Sequence, residues 1–421
     1  MRRLLDRILK RFIVVGRFTV RWPDGSTSIY SGAPGAEAAI EIRDAAALRR
    51  IAVNPALAVG ETYMDGDLVP VDCQIYEVLD ILVSNVVAET SGHAILRLRE
   101  ALALVTRRFA QFNPAARSRR NVAHHYDLNG RLYSLFLDRD RQYSCGYFLR
   151  GDETIDEAQI AKKRHIAAKL LLNRPGLTVL DIGCGWGGLA ITLARDYGAR
   201  VTGITLSTEQ LAEARARVQA EGLEDRVDFE LMDYRSLDRG FDRIVSVGMF
   251  EHVGVGHYRQ FFDMVKRCLA SDGVALLHAI GRFDGPSSTN PWFAKYIFPG
   301  GYCPSLSEVF SPIEQAGLVT TDMEILRLHY AETLRHWRRR FAANRDTIAS
   351  LYDERFCRMF EFYLAGSELA FRRQNHMIFQ LQIARDQMAV PLTRDYVTDG
   401  ERSAMTRTRV GAEGARDRRL S

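Results

Sequence analysis

The sequence predicts an α/β protein: a doubly wound parallel sheet flanked by helices, preceded by a small α/β N-terminal domain. Three observations carry this. Between residues 178 and 280, short apolar or β-branched runs (178–180, 200–204, 227–232, 241–247, 273–280) alternate with helical segments such as 210–221 and 258–269, the pattern of repeated βα units. The first run ends at Asp181 and passes into Gly183-Cys184-Gly185-Trp186-Gly187-Gly188, a glycine-rich turn that opens an apolar helix. The chain, at 421 residues, is long for one domain and comfortable for two. In open sheets of this kind ligands sit outside the carboxyl ends of the strands, where Glu251 and His278 both fall.

The composition is that of an ordinary soluble globular protein, with 47% hydrophobic and 26% charged residues. The net charge of +5 comes mainly from arginine, whose bidentate fork suits phosphate. Nucleic acid and anionic lipid headgroups are thus both candidate partners, beside the bland reading of an arginine-rich proteome. The six cysteines show neither C-x-x-C nor Cys/His ligand spacing. A disulfide framework or metal site is therefore not expected, which fits a reducing cytoplasm. No apolar run approaches the roughly 18 residues that span a bilayer, and Asp6, Arg7, Lys10 and Arg11 break any signal-peptide core.

Taken in order, residues 2–12 set Leu4, Leu5, Ile8, Leu9 and Phe12 against Arg2, Arg3, Arg7, Lys10 and Arg11. Such a helix can lie in a membrane interface or cap its own domain. Strands follow at 17–22 and 27–30 around the turn Pro23-Asp24-Gly25-Ser26, with helices at 44–53 and 74–87. Residues 97–120 are arginine-studded and read as a helical linker. At His124-His125 the texture changes, but adjacent histidines do not share a helix face, so no metal pair is expected. A long helix at 155–172 leads to the glycine-rich strand.

Glycines 183, 185, 187 and 188 permit positive φ and close approach of a nucleotide-like ligand, and Asp181 is placed to accept from a cationic amine. The run also satisfies G-x-G-x-x-G, so a dinucleotide site competes. An NAD site wants a carboxylate about 20 residues on, at the end of the next strand. Here that strand runs into Thr205-Leu206-Ser207, with no acid before Glu209. S-adenosylmethionine is favoured over NAD, and a ligand-free turn is the weakest reading. Residues 282–380 become helical and aromatic, with Trp292, Phe293, Tyr296, Phe298, Phe341, Phe360, Phe362, Tyr363 and Phe371. They read either as an inserted cap that binds a greasy substrate or as an ordinary helical core. The arginine-rich tail after 397 lacks periodicity and is expected to be disordered.

The motifs His125-Tyr126-Asp127, Tyr143-Ser144-Cys145, the 181–188 turn, Gly203-Ile204-Thr205-Leu206-Ser207, Phe250-Glu251-His252, His278-Ala279-Ile280-Gly281 and His329-Tyr330 occur in this order. Together they resemble the cyclopropane-fatty-acyl-phospholipid synthases, over the chain up to about residue 397. The resemblance implies a Rossmann-like class I methyltransferase domain (121–396) with a lipid-binding helical cap (about 282–380). A lipid-associated domain (1–96) and the linker (97–120) precede it, and a disordered basic tail (397–421) follows.

The implied activity is transfer of a methylene group from S-adenosylmethionine to the cis double bond of unsaturated acyl chains in membrane phospholipids. It passes through a carbocation that bound bicarbonate deprotonates. The resemblance assigns the bicarbonate site to the backbones of Cys145 and Ile280 and the side chains of Glu251, His278 and Tyr330. It assigns the cofactor to Tyr143, Ser144, Asp181, Gly183, Gly185, Gly187, Thr205, Leu206, Gln210, Tyr234 and Arg235, with Thr205 and Gln210 standing where other methyltransferases use an acid. It also implies a homodimer in the cytoplasm at the inner face of the membrane, with no nucleic-acid partner. Some members carry a reactive cysteine where this chain has Ser367, so no covalent thiol intermediate is expected and Cys357 reads as structural. The main alternative is a fatty-acyl C-methyltransferase, in which a hydride shift before deprotonation gives methylene- or methyl-branched chains. Headgroup N-methylation and a lipid-binding module without catalysis are the others.

Overall fold

The computed structural model of the chain describes residues 1–89 and 130–406. The His125-Tyr126-Asp127 motif, the expected linker at 97–120 and everything beyond 406 lie outside the described residues.

Residues 1–89 build their own four-stranded sheet. Helix α1 (Arg2–Phe12) buries Leu5 but leaves Leu4 and Ile8 exposed at 46% and 45%. Strand β1 (Val15–Arg21) pairs antiparallel with β2 (Thr27–Ser31) through the expected turn, where Trp22 N donates to Ser26 O. It pairs parallel with β3 (Ala33–Ile42). No strand is predicted at β3, because its Ala, Gly and Glu residues are poor strand formers; its C-terminal half nevertheless alternates Ala38, Ile40 and Ile42 into the core. Helix α2 (Ala45–Val53) is N-capped by Asp44, whose carboxylate accepts from Ala47 N at 2.6 Å. Helix α3 (Pro55–Asp65) starts on proline and ends at Gly66, at φ 82°. After β4 (Leu68–Pro70), helix α4 (Ile75–Glu89) is tied to β1 by the buried Asn85. Its Oδ1 accepts from Val14 N and Val15 N, and its Nδ2 donates to Val15 O.

The second domain opens with α5 (Gly130–Phe136) and α6 (Ile155–Lys169), whose start is fixed by a Thr154–Glu157 capping box. Then follow β5 (Thr178–Ile182), α7 (Gly188–Tyr197), β6 (Arg200–Thr205), α8 (Thr208–Glu221), β7 (Val227–Leu231), β8 (Phe241–Val247), α9 (Tyr258–Cys268) and β9 (Leu269–Arg282). Short α10 (Pro291–Tyr296), α11 (Leu306–Ala316), β10 (Val319–Leu326), α12 (His329–Ala343), α13 (Arg345–Leu351), α14 (Glu354–Arg373) and β11 (His376–Ala384) complete the fold. The seven strands run β10-β11-β9-β8-β5-β6-β7, parallel except for β11, which is antiparallel to both neighbours. The order reverses between β5 and β8, which opens a crevice at their carboxyl ends.

The expected cap at 282–380 is therefore not wholly helical. Two of its segments are strands of the sheet, and α10 and α12 to α14 supply the cap. The 397–421 tail is corrected too. Residues 395–406 form a helix, α15, with Val397 and Ala404 buried and Glu401 on His165 Nδ1 at 2.7 Å. Packing against α6 provides the order that the local sequence does not.

Most of the cap aromatics, including Trp292, Trp337, Phe341 and Phe360, are fully buried in a core continuous with that of the N-terminal domain. For these the ordinary-core reading holds. No helix among the described residues is long and apolar enough to cross a membrane.

Candidate active site

The crevice at the β5–β8 switch is lined by Tyr143, Ser144, Asp181, Gly183, Gly185, Thr205, Leu206, Gln210, Tyr234 and Arg235, all of them residues expected to contact the cofactor. Gly183 and Gly185 hold φ at 82° and 54°, conformations only glycine adopts readily. Gly187 is the exception: it does not line the crevice. It caps α7 at φ 80°, and a Cβ there would stand 2.5 Å from the Phe229 ring. It is a packing glycine.

Asp181 ends β5 with 2% of its surface exposed and its Oδ2 unpaired. Burial pushes its carboxyl up to about 7, against the pull of the Lys162 ammonium. A buried carboxylate with one free oxygen facing a crevice fits an amino group arriving with a ligand. Across the crevice the Thr205 hydroxyl donates to Gln210 Oε1 at 3.0 Å and accepts from Ser207 N. That leaves the Gln210 amide N–H group to the crevice and explains how a neutral pair stands in for an acid. The donors, acceptors and glycines present thus fit S-adenosylmethionine.

Beside the crevice, β8 passes Gly248 (φ 68°) into a one-turn helix that carries Glu251 between the crevice-lining Met249 and His252. Gly248 N donates to His278 O, so the ends of β8 and β9 are locked together. Glu251 Oε1 accepts from Ile280 N at 2.6 Å, while its Oε2 is buried and unpaired. Burial raises this carboxyl to about 7. His278 is 1% exposed; its Nδ1 meets Gln380 Nε2 at 3.1 Å, and its Nε2 is unpaired. Burial, then the cations Lys162 and Lys169, push its pKa well down, so the ring is neutral. With Gln380 donating to Nδ1, the free Nε2 carries the proton. One buried acceptor and one buried donor are thus left open on adjacent strand ends.

The Ile280 N–H donates to Glu251 Oε1 and so orients that carboxylate. Cys145 is buried, its thiol pushed up by burial, and its neighbour Gly146 N is held by Thr333 Oγ1 at 2.9 Å. Tyr330, on α12, lies outside the crevice. Its ring packs edge-on against Trp337 at 5.8 Å, while Tyr143 stacks on the same indole at 5.2 Å and its hydroxyl meets that of Tyr363 at 2.7 Å. Phe298 then bridges Tyr363 and His252. These rings form an aromatic wall between the crevice and the cap.

Sequence reasoning missed several participants. Gln142, Met249, His252 and Asp233 line the crevice; Asp233 also caps a short turn by accepting from Arg235 N at 3.0 Å. Lys162 is the larger omission. It has no exposed surface and donates to Ser144 Oγ at 2.7 Å and to Gln142 Oε1 at 2.8 Å. A lysine within a helical run carries no signal of burial.

Among known proteins, residues 114–381 match the family described as mycolic acid cyclopropane synthetase, and residues 4–90 match a domain of unknown function. The chain is 44% identical over 260 residues to a probable fatty acid methyltransferase of Pseudomonas putida, covering 60% of this chain and 66% of the relative. It is 39% identical over 353 residues to the cyclopropane-fatty-acyl-phospholipid synthase of Escherichia coli (strain K12), covering 83% and 88%. A solved mycolic acid cyclopropane synthase complexed with SAH and CTAB superposes with a TM-score of 0.60 at 34% identity, covering 65% of this chain and 99% of that one.

Proposed function

Because the chain belongs to the mycolic acid cyclopropane synthetase family, and so is an S-adenosylmethionine-dependent methyltransferase acting on lipid, we propose that it builds cyclopropane rings on the cis double bonds of unsaturated acyl chains in membrane phospholipids. The observation that carries this is the open pair, Glu251 Oε2 and His278 Nε2, buried beside the cofactor crevice.

The cofactor supplies an electrophilic methyl group on a sulfonium. Asp181 would hold its ammonium, and Thr205 with Gln210 its ribose. An alkene is a weak nucleophile, so the protein must fix the reacting groups and exclude water that would trap a cation on the lipid. The wall of Tyr143, Tyr363, Tyr330 and Trp337 serves both needs and offers π faces to the positive charge. Ring closure then releases a proton. In this reading Glu251 Oε2 accepts the O–H of a bicarbonate while His278 Nε2 donates to its oxygen, so the two residues hold a base that no side chain supplies.

The exposed Leu4 and Ile8, with Arg3, Arg7, Lys10 and Arg11 around them, support a peripheral contact of α1 with the anionic inner face of the cell membrane. The test is activity on vesicles of cis-monounsaturated phospholipid in buffer freed of carbon dioxide. Loss of turnover, restored by added bicarbonate, is expected; full turnover without it would remove the bicarbonate step. A second reading, a fatty-acyl C-methyltransferase, is favoured by the 44% identity to the probable fatty acid methyltransferase. It shares the first bond-forming step and differs in a hydride shift before the proton leaves.

A further inference from the structure

The reaction as derived makes no use of Lys162. This residue lies in the middle of α6 with its ammonium wholly buried. Its two hydrogen-bond acceptors, Ser144 Oγ and Gln142 Oε1, are neutral, and among the described residues it enters no salt bridge. One turn earlier Gln159 Nε2 donates to Ser144 O at 2.8 Å and Gln142 O at 3.3 Å. Helix α6 thus grips the strip that carries Tyr143 and Ser144 toward the cofactor and Cys145 toward the expected anion. Burying an ammonium without a carboxylate on it costs several kcal/mol, so the site holds a positive charge that no ion pair among the described residues neutralises. Of the acids near it, Asp181 is half protonated at neutral pH through its own burial, and Asp140 is engaged by Lys163 and Arg217.

We propose that Lys162 is a positioning residue that supplies the counter-charge for the anion bound between Glu251 and His278, acting from beneath the 142–145 strip, whose Gln142 and Ser144 side chains it holds. The proposal rests on the bicarbonate reading above. Charge signs make it specific. The cofactor carries a sulfonium and an ammonium against one carboxylate, so its net charge is positive, whereas the held base is an anion. Removing the Lys162 charge therefore weakens the anion and leaves the cofactor unweakened. Loss of the loop's shape would instead weaken both. Burial lowers the Lys162 ammonium to about 8 while the Asp138 carboxylate holds it up. The other titratable groups facing it are Asp140, Lys163, Cys145, Asp181 and His278.

The experiment uses the full chain with phospholipid vesicles and sodium bicarbonate as the probe. In Lys162→Gln, which keeps an N–H donor and removes the charge, the half-saturating bicarbonate concentration should rise at least tenfold. The dissociation constant for S-adenosylmethionine, from calorimetry, should stay within threefold or tighten. Lys162→Arg should remain within threefold of the parent in both. Parallel weakening of both ligands, or an unchanged bicarbonate constant in Lys162→Gln, overturns the proposal while leaving the bicarbonate reading intact. A parent enzyme indifferent to bicarbonate overturns both. If the variants do not fold, the parent itself decides. Its half-saturating bicarbonate should rise about tenfold from pH 7 to pH 9, because the protonated fraction of a group near 8 falls from about nine-tenths to about one-tenth. A flat profile above pH 8, where Asp181 and Glu251 have finished titrating, overturns it.

Discussion

Above neutral pH, Asp181→Asn should stabilise the protein while disabling it. The carboxyl is 2% exposed and rises from an ordinary 3.8 to about 7 through burial. A raised folded pKa means that stability is fully present below the unfolded value and lost as pH rises through the folded one. Linkage makes the cost of burying Asp181 about 2 kcal/mol at pH 5 and about 4 kcal/mol at pH 8, relative to the unfolded chain. The asparagine has no such cost. An unsatisfied amide costs about 1–3 kcal/mol instead, independent of pH. The comparison is therefore a double difference. From pH 5 to pH 8 the variant should gain about 2 kcal/mol on the parent, or a few °C in unfolding midpoint. Differential scanning calorimetry of both proteins without cofactor reads this directly. Loss of the charge-assisted bond to an ammonium, about 1.5–3 kcal/mol, should weaken S-adenosylmethionine binding roughly 10- to 100-fold. A midpoint difference that does not move with pH would exclude a raised Asp181 pKa, and unchanged cofactor affinity would exclude its bond to the ammonium.

Other perturbations separate the parts of the site. Glu251→Ala and His278→Ala should retain cofactor binding by calorimetry yet lose turnover; normal activity in either removes the anion site. Because burial holds Glu251 at about 7, kcat/KM should fall about tenfold per pH unit below 7 as its acceptor oxygen is protonated, and a flat acid limb contradicts the assignment. Removing residues 1–12 should weaken binding to anionic vesicles more than cofactor binding, and equal vesicle affinity by co-sedimentation dismisses the α1 contact. Asn85→Ala removes three hydrogen bonds from Val14 and Val15. It should destabilise the N-terminal domain by roughly 2–4 kcal/mol, seen as loss of amide exchange protection in β1.

The crevice was legible in the sequence because it is built from local signals: a strand, an acid, a run of glycines, and strand ends marked by Glu251 and His278. What was illegible depends on partners far along the chain. Strand β11 hides because Gln380 and Gln382 interrupt its apolar run, and the partners of their amide groups, His278 on β9 and Lys169 O on α6, lie far along the chain. Strand β10 offers the edge residues Thr320, Asp322 and Glu324, which look like a loop until β11 pairs with them. Lys162 reads as a solvated helix residue, but α6 is buried around most of its circumference, so its periodicity misleads. The residues 395–406 read as tail because their order comes from docking on α6, through Glu401 and His165. Ile280 was legible as a strand-end residue, but spacing alone does not reveal that its amide donates to Glu251.

The lipid product distinguishes ring closure from branching. The enzyme is incubated with methyl-labelled S-adenosylmethionine and vesicles of cis-monounsaturated phospholipid, and the lipid is examined by proton NMR, since cyclopropane and methylene-branched chains share one formula. Upfield ring protons with loss of the olefinic signal are the predicted result. Exocyclic vinyl protons would contradict ring closure and turn the account to the C-methyltransferase, and a methyl group on the headgroup amine would contradict acyl-chain chemistry altogether.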